Sequence, residues 1–277
     1  MRMTKLPSGE AVPVLGQGTW HFAEDPRRRA DEIAALRTGL DLGMTLIDMA
    51  EMYTDGAAEL VVAEAIAGRR KEVFLVSKVL PSHSSRRGTI AACEASLQRL
   101  RTDSIDLYLL HWRGSVPLSE TLEAFEDLSR AGKIRHWGVS NFDVPDMNEL
   151  LGLDHGNEVA ANQVVYNLTR RSIEWDLLPW CKERNILVMA YSPVEQGELA
   201  KHKRLKAVAV RHGATAVQIA LGWVLRQEGV VAIPKAGKPS HVRENYAAVE
   251  LQLTDQDLGE LNRFFPPPVA KTPLEII

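Results

Sequence analysis

Residues 73–112 read VFLVSKVLPSHSSRRGTIAACEASLQRLRTDSIDLYLLHW. VFLVSK (73–78) is a short apolar run closing on a lysine. IDLYLLH (105–111) is a second run, closing on a histidine, and 85–100 between them has helical spacing. A strand, a crossover helix and another strand in that order form a parallel pair. Parallel strands covered on both faces are continuously apolar, as VFLVS and LVMAY (187–191) are.

The same alternation extends in both directions. Strands are expected at 14–18, 45–48, 73–78, 105–110, 134–138, 159–164, 187–191 and 229–233. Helices are expected at 27–42, 57–68, 85–100, 118–131, 143–153, 173–184, 202–212 and 215–227, with 239–248 and 255–264 after the last strand. The opening segment alternates around Pro7-Ser8-Gly9 and reads as a hairpin. Asp143 caps one helix, Thr254 with Asp257 forms a capping box at another, and Gly43, Gly132 and Gly152 stand where helices stop. Eight strands with helical crossovers predict an α/β protein, a closed (β/α)8 TIM barrel. No linker divides the chain, so 1–277 is read as a single domain. A doubly wound dinucleotide-binding sheet would want GxGxxG opening a helix after an early strand, and GQGTW (16–20) is not that pattern.

Composition excludes several classes of partner. Basic and acidic side chains number 33 and 36, for a net charge of -3, which argues against a nucleic-acid-binding body. No run of roughly 18 apolar residues is present, so no membrane span is expected. MRMTKLPSGEAVP lacks the apolar core of a signal peptide, which makes the cytoplasm the default location. Cys93 and Cys181 fall inside expected helices and read as buried thiols.

Sites on such barrels lie at the C-terminal ends of the strands. Asp48 closes TLID, Tyr53 follows five residues later, Lys78 closes VFLVSK and His111 closes IDLYLLH. Together these groups suit carbonyl reduction, where charge left on oxygen needs a proton. A phenol is a poor acid near neutrality, with a pKa of about 10. A nearby Lys78 cation would ease release of the Tyr53 proton, Asp48 would hold Lys78, and His111 would donate to the oxyanion. Competing sites fit poorly: HExxH, HxxEH, CxxC pairs, GxSxG and the phosphate loop GxxxxGK[ST] are all absent, and the eight histidines are scattered.

LIDMAEMY (46–53), LVSKV (75–79) and DLYLLHW (106–112) resemble signature segments of the aldo-keto reductases, as do GKIRHWGVSNF (132–142), ANQVVYN (161–167), MAYSPV (189–194) and AIPKA (232–236). The resemblance runs along the whole chain in the correct order. It implies a barrel closed underneath by the N-terminal hairpin, two helices beyond the eightfold repeat, and NADPH-dependent reduction of aldehydes or ketones without metal. By motif, Tyr53 is the proton donor, Asp48 and Lys78 tune it, and His111 positions the carbonyl. Ser140, Asn141 and Gln163 match residues that bind the nicotinamide carboxamide, Tyr191 with Ser192 beside it matches the stacking segment, and Lys235, His241, Glu244 and Asn245 fall at the adenosine end. The family's usual serine after IPK is Ala236 here, and its frequent arginine is His241, which lacks a guanidinium fork. Lys238 and Arg243 are nearby alternatives.

Trp20 and Trp112 are expected to flank the substrate, with Met49, Met52 and Val79 as weaker rim candidates. The compact ending FFPPPVAKTPLEII leaves less of an apolar lid than a steroid enzyme needs. That ending, with LDLGMTLIDMAEMYTDGAAE and IEWDLLPWCKERN, resembles a bacterial branch containing methylglyoxal reductases. The implied partner is a small carbonyl substrate, and monomer is the family's usual state. Two other readings stay open. One is a reductase of sugar-derived keto acids of the 2,5-diketo-gluconate type, using Glu195 and Gln196. The other is a cofactor-sensing binding protein.

Overall fold

The computed structural model describes residues 1–277. Strands β1 (Met3–Lys5) and β2 (Ala11–Pro13) form an antiparallel hairpin. Its turn is closed by Leu6 N–H donating to the Glu10 carbonyl at 2.9 Å, with Gly9 at φ +86°. Eight parallel strands follow: β3 (Gln17–Gly18), β4 (Leu46–Asp48), β5 (Phe74–Val79), β6 (Ile105–Leu110), β7 (Ile134–Ser140), β8 (Ala161–Val165), β9 (Leu187–Tyr191) and β10 (Val230–Ala232).

They lie side by side in chain order, and the two edges meet. Gly16 N–H donates to the Ala232 carbonyl at 2.8 Å, and Ala232 N–H donates to that of Val14 at 2.9 Å. Leu15 bridges Ala232 and Gly18 bridges Lys235, both in parallel, so the barrel closes between β3 and β10. The first expected strand, 14–18, is therefore shared between neighbours: residues 14–16 pair towards β10, Gln17–Gly18 form the ladder with β4, and Gly18 also bonds back to the segment after β10. Gly16 suits this crossing, because a Cβ would lie 2.7 Å from a Leu46 methyl and 3.0 Å from the Leu46 carbonyl oxygen.

Helices α1 (Arg29–Asp41), α2 (Ala57–Ala65), α3 (Arg86–Leu100), α4 (Leu118–Arg130), α5 (Val144–Leu151) and α6 (Leu177–Glu183) connect successive strands through β9. Both α7 (Lys203–Arg211) and α8 (Ala216–Leu225) precede β10; α9 (Pro239–Ala247) and α10 (Asp255–Phe264) follow it. The two helices beyond the eightfold alternation, α7 and α10, meet where Arg211 and His212 bond Asp257 at 2.7 and 2.8 Å. Helix α6 starts later than the 173 expected from sequence. Pro179 lacks an N–H and is tolerated only in a first turn, which sets the start at Leu177. The boxes at Asp143–Asp146 and Thr254–Asp257 cap α5 and α10. Both cysteines are buried and free. No single helix is long and apolar enough to cross a membrane.

Strand parity separates two cores. Inward side chains such as Leu46, Phe74, Val76, Leu107, Leu109, Leu187 and Met189 fill the barrel, with Leu6 and Val12 of the hairpin beneath them. Outward ones such as Ile47, Leu75, Tyr108, Val188 and Val230 pack under the helices.

Candidate active site

Following the inward parity towards the C-terminal ends gives Asp48 after Leu46, Lys78 after Phe74 and Val76, His111 after Leu107 and Leu109, and Tyr191 after Leu187 and Met189. The apolar interior thus ends in a polar layer. Above it lies a cavity of about 670 Å³. The same parity corrects two expected rim residues. Met49 and Val79 point outward into the helix-facing core, whereas Met52 lines the cavity.

Lys78 is wholly buried. Its Nζ donates to Asp48 Oδ2 at 2.9 Å, the Met49 carbonyl at 2.8 Å and the Tyr53 hydroxyl at 3.1 Å. Gln163 Nε2 donates to Asp48 Oδ1 at 2.7 Å. Lys78 does not line the cavity; it stands behind Asp48 and Tyr53, which do. Tyr53 begins a 3-10 turn in which Thr54 and Asp55 have φ +50° and +51°. Thr54 Oγ1 fastens that turn by donating to the Phe22 carbonyl at 2.7 Å.

Burial pushes the Asp48 carboxyl up and the Lys78 ammonium down, and each group opposes the other's shift. Burial first, and the Asp48 carboxylate second, raise the Tyr53 phenol well above its ordinary value. The net shift is upward, where a downward one was expected: Lys78 is tied to Asp48 as well as to the phenol, and desolvation of the phenolate dominates. The phenol is firmly protonated.

His111 is neutral, its pKa lowered to about 2 by burial and then by the Lys78 charge. Its Nδ1 is buried without a partner. Nε2 makes no bond within the chain and is the nitrogen reachable from the cavity. Trp20 stands edge-on to Tyr53 with ring centres 4.9 Å apart, and Trp112 lies 4.8 Å from His111.

Along one wall, Asn141 Nδ2 donates to the His111 carbonyl at 3.1 Å, and the Tyr191 hydroxyl donates to Asn141 Oδ1 at 3.0 Å. Ser140 Oγ donates to the Gln163 carbonyl at 2.8 Å. Asn141 and Ser192 hold φ +59° and +47°, conformations that turn the chain sharply at the ends of β7 and β9. Lys235, His241, Glu244 and Asn245 line the cavity too, and Lys235 lies beside Gly18 where the barrel closes. Glu244 is braced by Thr215 Oγ1 at 2.7 Å. Lys238 and Arg243 are exposed and do not line the cavity.

Trp20, Asp48, Tyr53, His111, Trp112, Ser140, Asn141, Gln163, Tyr191 and Ser192 line the same cavity as Lys235, His241, Glu244 and Asn245, whereas Lys78 lies behind its wall and Glu195 does not line it. The sequence did not point to Ile276 and Ile277, which also line it. Arg170 holds this tail, pairing with Glu275 at 2.8 Å and with Glu195 at 2.9 Å. The short ending therefore reaches the cavity, with both isoleucines still exposed. Its one signal was a pair of isoleucines closing a proline-stiffened segment.

The sequence profile of the Aldo/keto reductase family matches residues 14–265. The chain belongs to that family. It is 49% identical to the methylglyoxal reductase YeaE of Escherichia coli K12, with 100% of this chain and 99% of the relative covered. It is 34% identical to a glyoxal reductase of Bacillus subtilis strain 168, over 93% and 91% of the two chains. Among solved structures, an aldo-keto reductase from Klebsiella pneumoniae in complex with NADPH superposes with a TM-score of 0.97, at 48% identity and full coverage of both chains. The family's barrel is the fold observed here.

Proposed function

We propose that this reductase uses NADPH to reduce small aldehydes and ketones, with methylglyoxal and related 2-oxoaldehydes as the substrate class and Tyr53 as the acid. One observation carries the assignment of roles: the Tyr53 hydroxyl accepts from buried Lys78, which leaves its own proton free for the cavity. The residues fit the cofactor. Amide and hydroxyl groups of Ser140, Asn141 and Gln163 line the cavity with the Tyr191 ring, and the Lys235 cation lines it where the barrel closes. When bound, NADPH supplies a hydride to the carbonyl carbon and leaves as NADP⁺. Trp20 and Trp112 hold a small carbonyl against Tyr53 and His111 and exclude water.

With His111 neutral and Nδ1 unpartnered, a proton on Nε2 leaves only a lone pair in the buried position. Nε2–H then donates to the carbonyl oxygen, orients it and stabilises the charge that develops there. Tyr53 O–H transfers its proton to that oxygen, giving the alcohol. Lys78 stabilises the phenolate left behind, and Asp48 with Gln163 keeps Lys78 in place. A phenol of raised pKa suits this order: it stays protonated until an alkoxide, a far stronger base than any ground-state carbonyl, is forming. Every group needed comes from one chain, so a monomer suffices and 1–277 acts as a single unit.

The two-carbon dicarbonyl core of methylglyoxal needs little beyond these donors, and two relatives bear the names of reductases of such substrates. A sugar-derived acid would call on Glu195 and Gln196 for its hydroxyls, but Glu195 is engaged by Arg170 and Asn167, which leaves Gln196 as the one of the pair that lines the cavity. The test is initial-rate NADPH oxidation with methylglyoxal, beside NADH, in wild type and Tyr53→Phe. Tyr53→Phe is expected to lose at least about 100-fold in turnover while binding NADPH as wild type does. Unchanged turnover would reject Tyr53 as the acid. A folded wild type that binds NADPH but leaves methylglyoxal untouched would reject the substrate class.

A further inference from the structure

Three consecutive arginines, Arg27, Arg28 and Arg29, lead into α1, and they are treated differently. Arg27 pairs with Asp25 at 2.9 Å, and Arg29 pairs with Glu64 at 2.7 Å. Arg28 between them is exposed and makes no side-chain bond within the chain. Its guanidinium instead reaches over Gly237, in the segment joining β10 to α9. A Cβ on Gly237 would lie 3.1 Å from Arg28 Nη2 and 3.7 Å from Lys235 Nζ. Two cations thus converge on one backbone position that carries no side chain.

Lys235 lines the cavity, is half-buried and has no carboxylate partner. Burial and then the Arg28 charge lower its pKa, while Glu32 and Glu24 raise it by less, so Lys235 senses its neighbouring cation more than the carboxylates around it. Glu32 lies behind the two cations, with Cγ 3.7 Å from the same point. Its carboxylate is wholly buried; Oε2 accepts from Ala23 N–H at 3.0 Å, and Oε1 has no partner. Two unpaired cations held together cost free energy unless an anion joins them. The arrangement is poised for a compact dianion just beyond Lys235.

Resting on the NADPH-dependent reading, we propose that Arg28 is the residue that selects the 2′-phosphate of NADPH, gripping it together with Lys235 across Gly237. His241, which also lines the cavity, offers one imidazole and no fork. Arg28 offers two parallel N–H groups to phosphate oxygens, the geometry that suits a guanidinium better than an ammonium. It comes from the opposite side of the barrel closure, 207 positions before Lys235 in the chain. Binding of the phosphate therefore bridges the start of α1 to the start of α9. Gly237 gives the phosphate room to approach the backbone.

The test is equilibrium binding followed by protein fluorescence, with NADPH, NADH and adenosine 2′-monophosphate as probes, in wild type, Arg28→Ala and Arg28→Lys. Arg28→Ala is expected to weaken NADPH and adenosine 2′-monophosphate by about ten-fold or more, the range of a lost charge-assisted contact. Its NADH affinity should stay within about two-fold. Arg28→Lys should fall between the two, since it keeps charge but not the fork. Equal losses for NADPH and NADH, or no loss for either, would overturn the assignment, as would a wild type that binds NADH as tightly as NADPH. Failure of the wild type to bind any dinucleotide would instead sink the reductase reading. An unaffected NADPH affinity in Arg28→Ala, with the wild type binding tightly, sinks only the role of Arg28.

Discussion

The two ends of the barrel bury carboxylates in opposite ways. At the lower end Asp106, next to the apolar layer of Phe74 and Leu107, accepts from Arg70 Nη2, Arg135 Nη1 and the Leu75 N–H, each at 2.8 Å. Two cations and a backbone donor saturate one carboxylate, which does not line the cavity above. At the upper end Asp48 has a single cation, Lys78, and that cation is shared with a phenol. Charge at the lower end is surplus and partly exposed, with Arg135 about half accessible. Charge at the upper end is scarce and dry. The lower cluster is redundant, whereas the upper one has a single cation whose donors are all committed, to Asp48, the Met49 carbonyl and Tyr53.

The largest expected effect breaks that contrast directly. Lys78→Met leaves Asp48 buried with Gln163 alone, and removal of one partner from a buried pair costs about 3–5 kcal/mol. Urea unfolding should show that loss. Adding Asp48→Asn should recover part of the stability, since the uncompensated charge is gone, without recovering turnover. A Lys78→Met protein as stable as wild type would show that Asp48 is already neutral in the folded chain.

A smaller effect sharpens the contrast through pH. His111 is held at about 2 against an ordinary 6.5. Its folded value lies below its unfolded one, so the unfolded chain takes up the proton first. The stability tied to neutral His111 is complete above about pH 6.5 and is lost as pH falls from there towards 2. His111→Gln removes this dependence. Thermal melts of wild type and variant from pH 8 down to pH 4 should therefore draw together, the wild type falling more steeply. Parallel melts would mean that His111 titrates normally in the fold. The same neutrality predicts that no His111 step near pH 6.5 shapes the rate of carbonyl reduction.

Much of this was legible in the chain because barrels use one parity from bottom to top. An apolar run that closes on Asp48, Lys78 or His111 announces both a strand and the face its last residue occupies. The helices were readable from caps and periodicity, down to the box at Thr254 and Asp257. Other features depend on contacts between distant parts of the chain. The division of 14–18 between two neighbours is set by closure against β10. Met49 and Val79 follow the opposite parity from the residues beside them, which adjacency in sequence conceals. Ile277 reaches the cavity only because Arg170 and Glu275 hold the tail, and Arg28 meets Lys235 only because α1 and α9 lie side by side. The sign of the Tyr53 shift was hidden for another reason: residue types show which charges are available, while burial decides which of them prevails.

The smallest effect belongs to the lower end and tests redundancy itself. Arg135→Ala removes one of the two cations on Asp106 and also a contact at 2.8 Å to Glu10 of the hairpin. Asp106 keeps Arg70 and the Leu75 N–H, and Glu10 keeps His136 Nε2 at 2.8 Å. Because Arg135 is half exposed, solvent screens most of its Coulomb gain, and the loss should be about 1 kcal/mol or less. Turnover should be unchanged, since the whole apolar layer of the barrel separates Asp106 from Tyr53. A loss as large as that of Lys78→Met would mean that the lower cluster is no more redundant than the upper one. The scarcity of cations around Asp48 would then be a general property of this barrel, and it could no longer be read as a mark of its active end.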